Sequence, residues 1–134
     1  MSARFWISVV VMFVMAMMAG FVIHGVVLGP EYAKLTGLFR LEADQARYFP
    51  AMLVAHLFLA IGFTWIYIRA REAGKPFLGQ GIRYGIAVAV LTTIPTYLIY
   101  LAVQPMPEAL VVRQIVFDTV GLLAMGVVVA WINR

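Results

Sequence analysis

A few polar side chains interrupt an otherwise apolar sequence, and they decide what chemistry the chain can support. These side chains belong to His24, His56, Thr96, Tyr97, Gln114 and Asp118. Imidazole exchanges protons near neutral pH and ligates metals, and a neighbouring carboxylate orients the ring and raises its basicity. The residue types therefore point to a proton-linked or small-molecule site, with haem or metal ligation as an alternative.

Several other kinds of chemistry are excluded by what the chain lacks. It has no cysteines, which rules out disulfides and thiolate catalysis. Its serines, Ser2 and Ser8, lie far along the chain from the other polar residues, and no phosphate loop or His-Glu-x-x-His motif is present. We predict that the chain is not an enzyme, binds no cofactor and has no nucleic-acid partner.

The elements that must position these residues are four apolar stretches of about 20 residues, each long enough to cross a membrane as a helix. The chain is 64% hydrophobic and 12% charged, with a mean hydropathy of +0.97. The predicted spans are residues 5–28, 50–68, 84–103 and 109–132. The sequence predicts a single all-α domain, a bundle of four transmembrane helices surrounded by lipid.

The polar residues occupy a similar depth on all four predicted spans. At 1.5 Å per residue, His24 lies ~7 Å below the outer boundary, His56 and Tyr97 ~9 Å and Asp118 ~13 Å. Ionisable groups at such depths normally face the bundle or a wet cavity. We expect His24, His56 and Asp118 to form one coupled site in an outward-opening pocket, with few polar groups in the inner half of the bundle.

Three interpretations of this site stay open at the level of sequence. The residues could bind a small molecule or a proton, for transport or sensing. His24 and His56 could together ligate haem or a metal. Alternatively, the same side chains could simply bond one another and fix the packing of the helices, as in an accessory subunit of a larger membrane complex.

Loop and helix-end signals complete the predicted architecture. The first outer loop is expected to carry one or two short surface helices, at Pro30–Thr36 and Leu41–Tyr48. Pro95 is expected to kink the third span and free a backbone carbonyl. Small residues repeat on the third and fourth spans, which suits close helix packing, a homo-oligomer or a partner membrane protein. They are Gly81, Gly85, Ala89, Gly121 and Gly126.

The distribution of basic residues predicts the orientation of the chain. With a cytoplasmic N-terminus, six Lys and Arg residues lie inside and four outside, and the loop between the second and third spans is the most basic. Both termini are therefore expected in the cytoplasm.

Several segments carry a resemblance that covers most of the chain. They are His24-Gly25-x3-Gly29-Pro30-x-Tyr32, Tyr48-Phe49-Pro50 through His56, Phe63-Thr64-Trp65-Ile66-Tyr67, Ile94-Pro95-Thr96-Tyr97 and Gln104-Pro105-Met106-Pro107. In these segments the sequence resembles small four-span proteobacterial membrane proteins of unknown function. The resemblance implies a bacterial inner membrane and four helices, and it transfers no functional residues.

Overall fold

The computed structural model describes residues 2–40 and 42–134, without the side chain of Glu42. Four helices are long and apolar enough to cross a membrane: Ala3–Val27, Ala43–Ala70, Phe77–Val103 and Glu108–Ile132. These segments are the four spans of the sections below. The predicted all-α class of a four-helix membrane bundle is confirmed, and the chain is an integral membrane protein.

Two of the spans are divided, so the helices are labelled individually. They are α1 (Ala3–Gly20), a π-helical segment (Phe21–Val27), α2 (Gly29–Ala33), α3 (Glu42–Ala70), α4 (Phe77–Leu91), α5 (Thr93–Val103) and α6 (Glu108–Ile132). Both termini lie at one end, where the Arg4 guanidinium donates to the carbonyl of Arg134 across 3.4 Å. We call this the terminal end, and the opposite end, which carries α2, the distal end.

Helix α6 is the centre of the bundle, because it packs on α4, α1 and α5. The main core lies along it and contains fully buried Met12, Ala60, Val129 and Ala130. By contrast α3 packs mainly on α1, and most of its residues in the distal half are exposed. These outward-facing apolar side chains meet lipid, as expected for a small membrane bundle.

Glycines set the closest helix contact, which joins α4 to α6. A Cβ added at Gly81 would lie 2.6 Å from the carbonyl oxygen of Gly126, and one at Gly85 would lie 2.8 Å from the carbonyl oxygen of Leu122. Real Cβ atoms do not approach backbone so closely, so the two backbones touch only because side chains are missing. Small residues at four-residue spacing bring helices together in this way in lipid.

The third span is interrupted at Thr92, one turn before Pro95. Proline has no N–H to donate to the carbonyl four residues earlier and its ring clashes with that carbonyl, so the bond to Leu91 is lost. At the same point the Val88 carbonyl accepts two hydrogen bonds from Thr92, from the hydroxyl at 2.8 Å and from the backbone N–H at 2.9 Å. The kink expected from Pro95 is therefore present, and it separates α4 from α5.

The distal end of the first span is a π-helix rather than the α-helix that its apolar pattern suggests. The Leu28 N–H donates to the carbonyl of Ile23, five residues earlier, at 2.8 Å. A π-helical turn widens the helix and is frequent at functional sites. His24 lies inside this segment.

The distal loop differs in part from its prediction. A short helix is present, as α2, and Gly37 follows it with a positive φ of 83°. The second predicted surface helix, Leu41–Tyr48, is not separate: residues from Glu42 onward continue directly into α3, and Leu41 lies outside the described residues. Pro50 does not end this helix, and residues 43–50 of α3 are exposed.

The glycine contact between α4 and α6 predicts different effects for one substitution at two positions. Gly85→Ala forces backbone atoms apart and should destabilise the bundle by about 1–3 kcal/mol. Gly62→Ala is the matched control, because a Cβ there meets nothing within 4 Å. It should be neutral or stabilising by up to about 1 kcal/mol. Unfolding free energies in detergent would measure both, and equal effects would contradict the contact.

Candidate functional site at the distal end

The centre of the distal site is a pair of ionisable side chains from the first and fourth spans. His24 Nε2 lies 3.1 Å from Asp118 Oδ1, and the two side chains are 33% and 21% exposed. The other carboxylate oxygen, Oδ2, accepts a 2.6 Å hydrogen bond from the hydroxyl of Tyr97. The first and third spans therefore supply the groups that compensate the Asp118 carboxylate, which lies within an apolar helix, where an unpaired charge is costly.

A tyrosine from the distal loop completes the network. The hydroxyl of Tyr32 lies 2.6 Å from His24 Nδ1 and accepts a 3.0 Å hydrogen bond from Gln114 Nε2. The two rings of Tyr32 and His24 are stacked, with centroids 5.9 Å apart. Helix α2 is thereby tied to both the first and the fourth spans.

The partners determine which atoms carry the hydrogens. An ionised carboxylate only accepts, so His24 donates to Asp118 from Nε2 and its Nδ1 keeps a lone pair. The Tyr32 hydroxyl already accepts from Gln114 and donates its own hydrogen to Nδ1. This assignment applies to neutral His24 in the Nε2–H tautomer beside ionised Asp118, and it gives each hydrogen bond of His24, Asp118 and Tyr32 one donor and one acceptor.

Burial raises the pKa of the Tyr32 hydroxyl above its ordinary value of 10.0. The negative charge of Asp118 raises it further, while the hydrogen bond from Gln114 acts in the opposite direction. Desolvation disfavours the charged phenolate. The hydroxyl therefore stays protonated at neutral pH and keeps its hydrogen for donation to His24.

Apolar packing holds α2 over the network. Leu28, Met106, Leu110 and Val111 form a second buried cluster, against which Tyr32 and Tyr97 pack. At the rim, Glu31 lies 3.7 Å from Arg113 and 3.4 Å from Lys34. These rim pairs are exposed and contribute little stability, so the buried cluster and the Tyr32 bonds keep α2 in place.

Four of the six residues that the sequence singles out meet in this network: His24, Tyr97, Gln114 and Asp118. His56 has other partners, since its Nδ1 lies 2.7 Å from the Met52 carbonyl of its own helix. Its Nε2 faces Gly20, where an added Cβ would lie 3.4 Å away, one turn deeper than His24. Thr96 has an exposed side chain on α5.

Tyr32 is the member of the network that reasoning from the apolar spans missed. It lies between two spans, and the depth count considered only residues inside them. Its signal was its position eight residues after His24, on a short helix that folds back over the bundle. Where the sequence predicts an open pocket beside His24, the structure has Tyr32 hydrogen-bonded to His24 and Gln114.

A second polar cluster at the terminal end was also missed, because few polar groups were expected there. The Asn133 amide donates to the Ser8 hydroxyl and to the Val129 carbonyl, both at 2.8 Å. The Arg71 guanidinium donates to the Asn133 carbonyl. Ser8 is fully buried and Asn133 nearly so. This cluster joins the ends of three spans.

The donor sets and the two best-formed cavities bear on ligand binding. No group of three or more His, Asp or Glu side chains suited to a metal occurs in the described residues. His24 uses both ring nitrogens in hydrogen bonds, so ligation of iron would require one to break. One cavity of about 240 Å³ lies between α1 and α3 and the other, of about 150 Å³, near Arg71 and Arg83; neither is lined by the distal network.

Comparisons with protein-family models, with curated proteins and with solved structures each gave no match to this chain. The site is therefore interpreted from its own geometry.

The hydrogen-bond partners predict opposite neutral tautomers for the two histidines. His24 should carry its proton on Nε2, facing Asp118, and His56 on Nδ1, because the Met52 carbonyl can only accept. Nitrogen-15 NMR of histidine-labelled protein in bilayers, at a pH where both rings are neutral, distinguishes the tautomers. Signals are assigned with His56→Gln as the reference variant. A shared tautomer would contradict this arrangement.

Proposed function

We propose that this chain is a proton-responsive membrane protein whose sensing group is His24. In the deprotonated state the ring links Tyr32 on the distal loop to Asp118 in the fourth span. A proton taken up on Nδ1 turns that nitrogen from an acceptor into a donor, while Asp118 supplies the compensating negative charge. Protonation therefore reverses a hydrogen bond between the loop and the bundle.

The observation that carries this proposal is the position of His24 between a carboxylate and a loop tyrosine. Histidine is the side chain whose charge changes near physiological pH. Its Nε2 is held by Asp118 at 3.1 Å and its Nδ1 by Tyr32 at 2.6 Å. A proton on this ring changes the one side-chain hydrogen bond that joins α2 to the first span among the described residues.

Sensing is favoured over transport because the polar network does not continue through the bundle. An apolar layer that includes Ala16, Ala60, Leu122 and Met125 lies between the distal network and the Ser8–Asn133 cluster. Along α6, Asp118 and Asn133 are about 22 Å apart at 1.5 Å per residue. Among the described residues no chain of hydrogen bonds connects Asp118 to the Ser8–Asn133 cluster.

The proposal places the distal end outside a bacterial inner membrane, with both termini in the cytoplasm. The support is the excess of basic residues at the terminal end, since cytoplasmic loops are enriched in Lys and Arg. They are Arg4, Arg69, Arg71, Lys75, Arg83 and Arg134. A reporter that matures only in the periplasm should give no signal when it is fused after Arg134. A signal from this fusion would contradict the orientation.

Two other functions receive less support. Haem ligation by His24 and His56 is disfavoured because both ring nitrogens of His24 are already in hydrogen bonds, one of which would have to break. For an accessory subunit, whether in a homo-oligomer or with a partner membrane protein, the exposed apolar face of α3 is compatible but equally suits lipid.

The proposal predicts that His24 titrates as part of a unit with Asp118. In a pH series on nitrogen-15 histidine-labelled protein, Asp118→Asn should displace the His24 transition, because a charge within hydrogen-bond distance is lost. The His56 transition should stay in place, which makes it the internal control. A His24 ring that keeps one protonation state across the series would contradict the proposed function.

A proteoliposome measurement separates sensing from transport. Vesicles holding a trapped pH-sensitive dye and the reconstituted chain should equilibrate an imposed pH difference no faster than protein-free vesicles. Faster equilibration that disappears in the Asp118→Asn variant would contradict sensing and indicate proton transport through the chain.

A further inference from the structure

One buried polar atom in the distal network is left without a partner, and it belongs to Gln114. This residue is 3% exposed, and its Nε2 donates to the Tyr32 hydroxyl at 3.0 Å. Its other amide atom, Oε1, is buried and bonds to no described group. Buried polar atoms are normally hydrogen-bonded, and an exception calls for an explanation.

From this atom we infer that Gln114 is the positioning residue of the proton switch, and that its side-chain amide turns over when His24 is protonated. The inference rests on the proposed function. In the deprotonated state Gln114 donates to Tyr32, and Tyr32 donates to His24. In the protonated state His24 donates to Tyr32, so the hydrogen of the Tyr32 hydroxyl needs a new acceptor.

Gln114 Oε1 is the acceptor that the network offers. A half-turn of the amide exchanges the positions of Oε1 and Nε2, because the two ends of a carboxamide have nearly the same shape. Tyr32 then donates to Oε1, accepts from His24 Nδ1 and remains in place over the bundle. The covalent structure is unchanged, and the one proton added resides on Nδ1.

The two orientations of the Gln114 amide should have similar free energies. In the orientation described, the inward end of the amide is an unpaired oxygen, and after the half-turn it would be an unpaired NH2 group. One amide end thus lacks a described partner in both states, and the direction of the Tyr32 hydroxyl decides between them. A switch requires an element with two arrangements whose balance the coupled sites can change. Here the two arrangements are the two orientations of the Gln114 amide.

Other groups around His24 do not offer this acceptor. The hydrogen-bond partners of Asp118 among the described residues are His24 and Tyr97, and the Tyr32 hydroxyl is not one of them. Glu31 and Arg113 lie at the rim and pair with each other. His56 lies one turn deeper and bonds to its own helix. Gln114 alone already touches the Tyr32 hydroxyl and has a free acceptor among the described residues.

The direct test measures the amide in the unaltered protein. With nitrogen-15 in the glutamine side chains and carbon-13 at tyrosine Cζ, dipolar recoupling NMR reports the contact between Gln114 Nε2 and Tyr32. Gln114→Met identifies the signal. We expect the contact above the His24 transition and its loss below it. The same contact at both pH values would overturn the inference.

A second test follows the docking of α2. The chain has no cysteines, so spin labels can be placed specifically at Ala33→Cys on α2 and Ala109→Cys on α6, both exposed positions. In the parent, the distance distribution should stay narrow on both sides of the transition. In Gln114→Met it should broaden and lengthen only at the acidic side, where Tyr32 has lost its acceptor.

Thr119→Val is the matched control, since Thr119 Oγ1 is also a buried, unpaired atom of α6 but belongs to no bond with Tyr32. It should behave as the parent does. A Gln114→Met protein that is indistinguishable from Thr119→Val at both pH values would contradict the role of Gln114. If His24 fails to titrate at all, the proposed function fails instead, so the two failures are distinguishable.

Discussion

The carboxylate of Asp118, placed within a membrane-spanning helix, is the constraint on which the distal half of the molecule depends. A charge at this depth is tolerated only when donors surround it. The donors are His24 Nε2–H and the Tyr97 hydroxyl, which come from the first and third spans. Meeting the needs of one carboxylate thus fixes how three helices approach one another at the distal end.

That arrangement also requires apolar helices to hold the backbone at the right separation. Gly81 and Gly85 bring α4 against α6 with direct backbone contact, and the third span is interrupted at Thr92 before α5 begins. Tyr97 then reaches Asp118 from α5. In the first span, the π-helical segment turns His24 so that its two ring nitrogens meet groups from two different elements. Packing and polar pairing therefore specify the same geometry.

Much of the fold follows from the sequence for simple physical reasons. Apolar runs of about 20 residues specify spans, and Pro95 specifies an interruption. For the site, depth along the helices was sufficient to select His24, Tyr97 and Asp118, and Gln114 lies one helical turn before Asp118 on the same span. Depth alone could not separate His24 from His56, because their predicted depths are similar and the two residues differ in their hydrogen-bond partners. His24 meets Asp118 of another helix, whereas the Nδ1 of His56 bonds to the Met52 carbonyl of its own helix. A π-helical turn also changes the face that His24 presents, and no propensity in Phe21–Val27 marks it.

Tyr32 shows a different limit of sequence reasoning. The contact between the distal loop and the bundle depends on how α2 folds back, which the apolar pattern of the spans does not encode. This contact extends the part-buried His24–Asp118 hydrogen bond to the distal loop. It is therefore the contact through which a proton at His24 would have a structural consequence.

The central claim, that the loop and the fourth span are coupled through His24, is tested most directly by a double-mutant cycle. Tyr32 and Asp118 share no hydrogen bond with each other, and the His24 ring is bonded to both, so their substitutions to Phe and Asn report the coupling through that ring. Unfolding free energies in detergent should be non-additive by about 1 kcal/mol. The cycle of Tyr32→Phe with His56→Gln should be additive. Additivity within about 0.3 kcal/mol for Tyr32→Phe and Asp118→Asn would contradict the account.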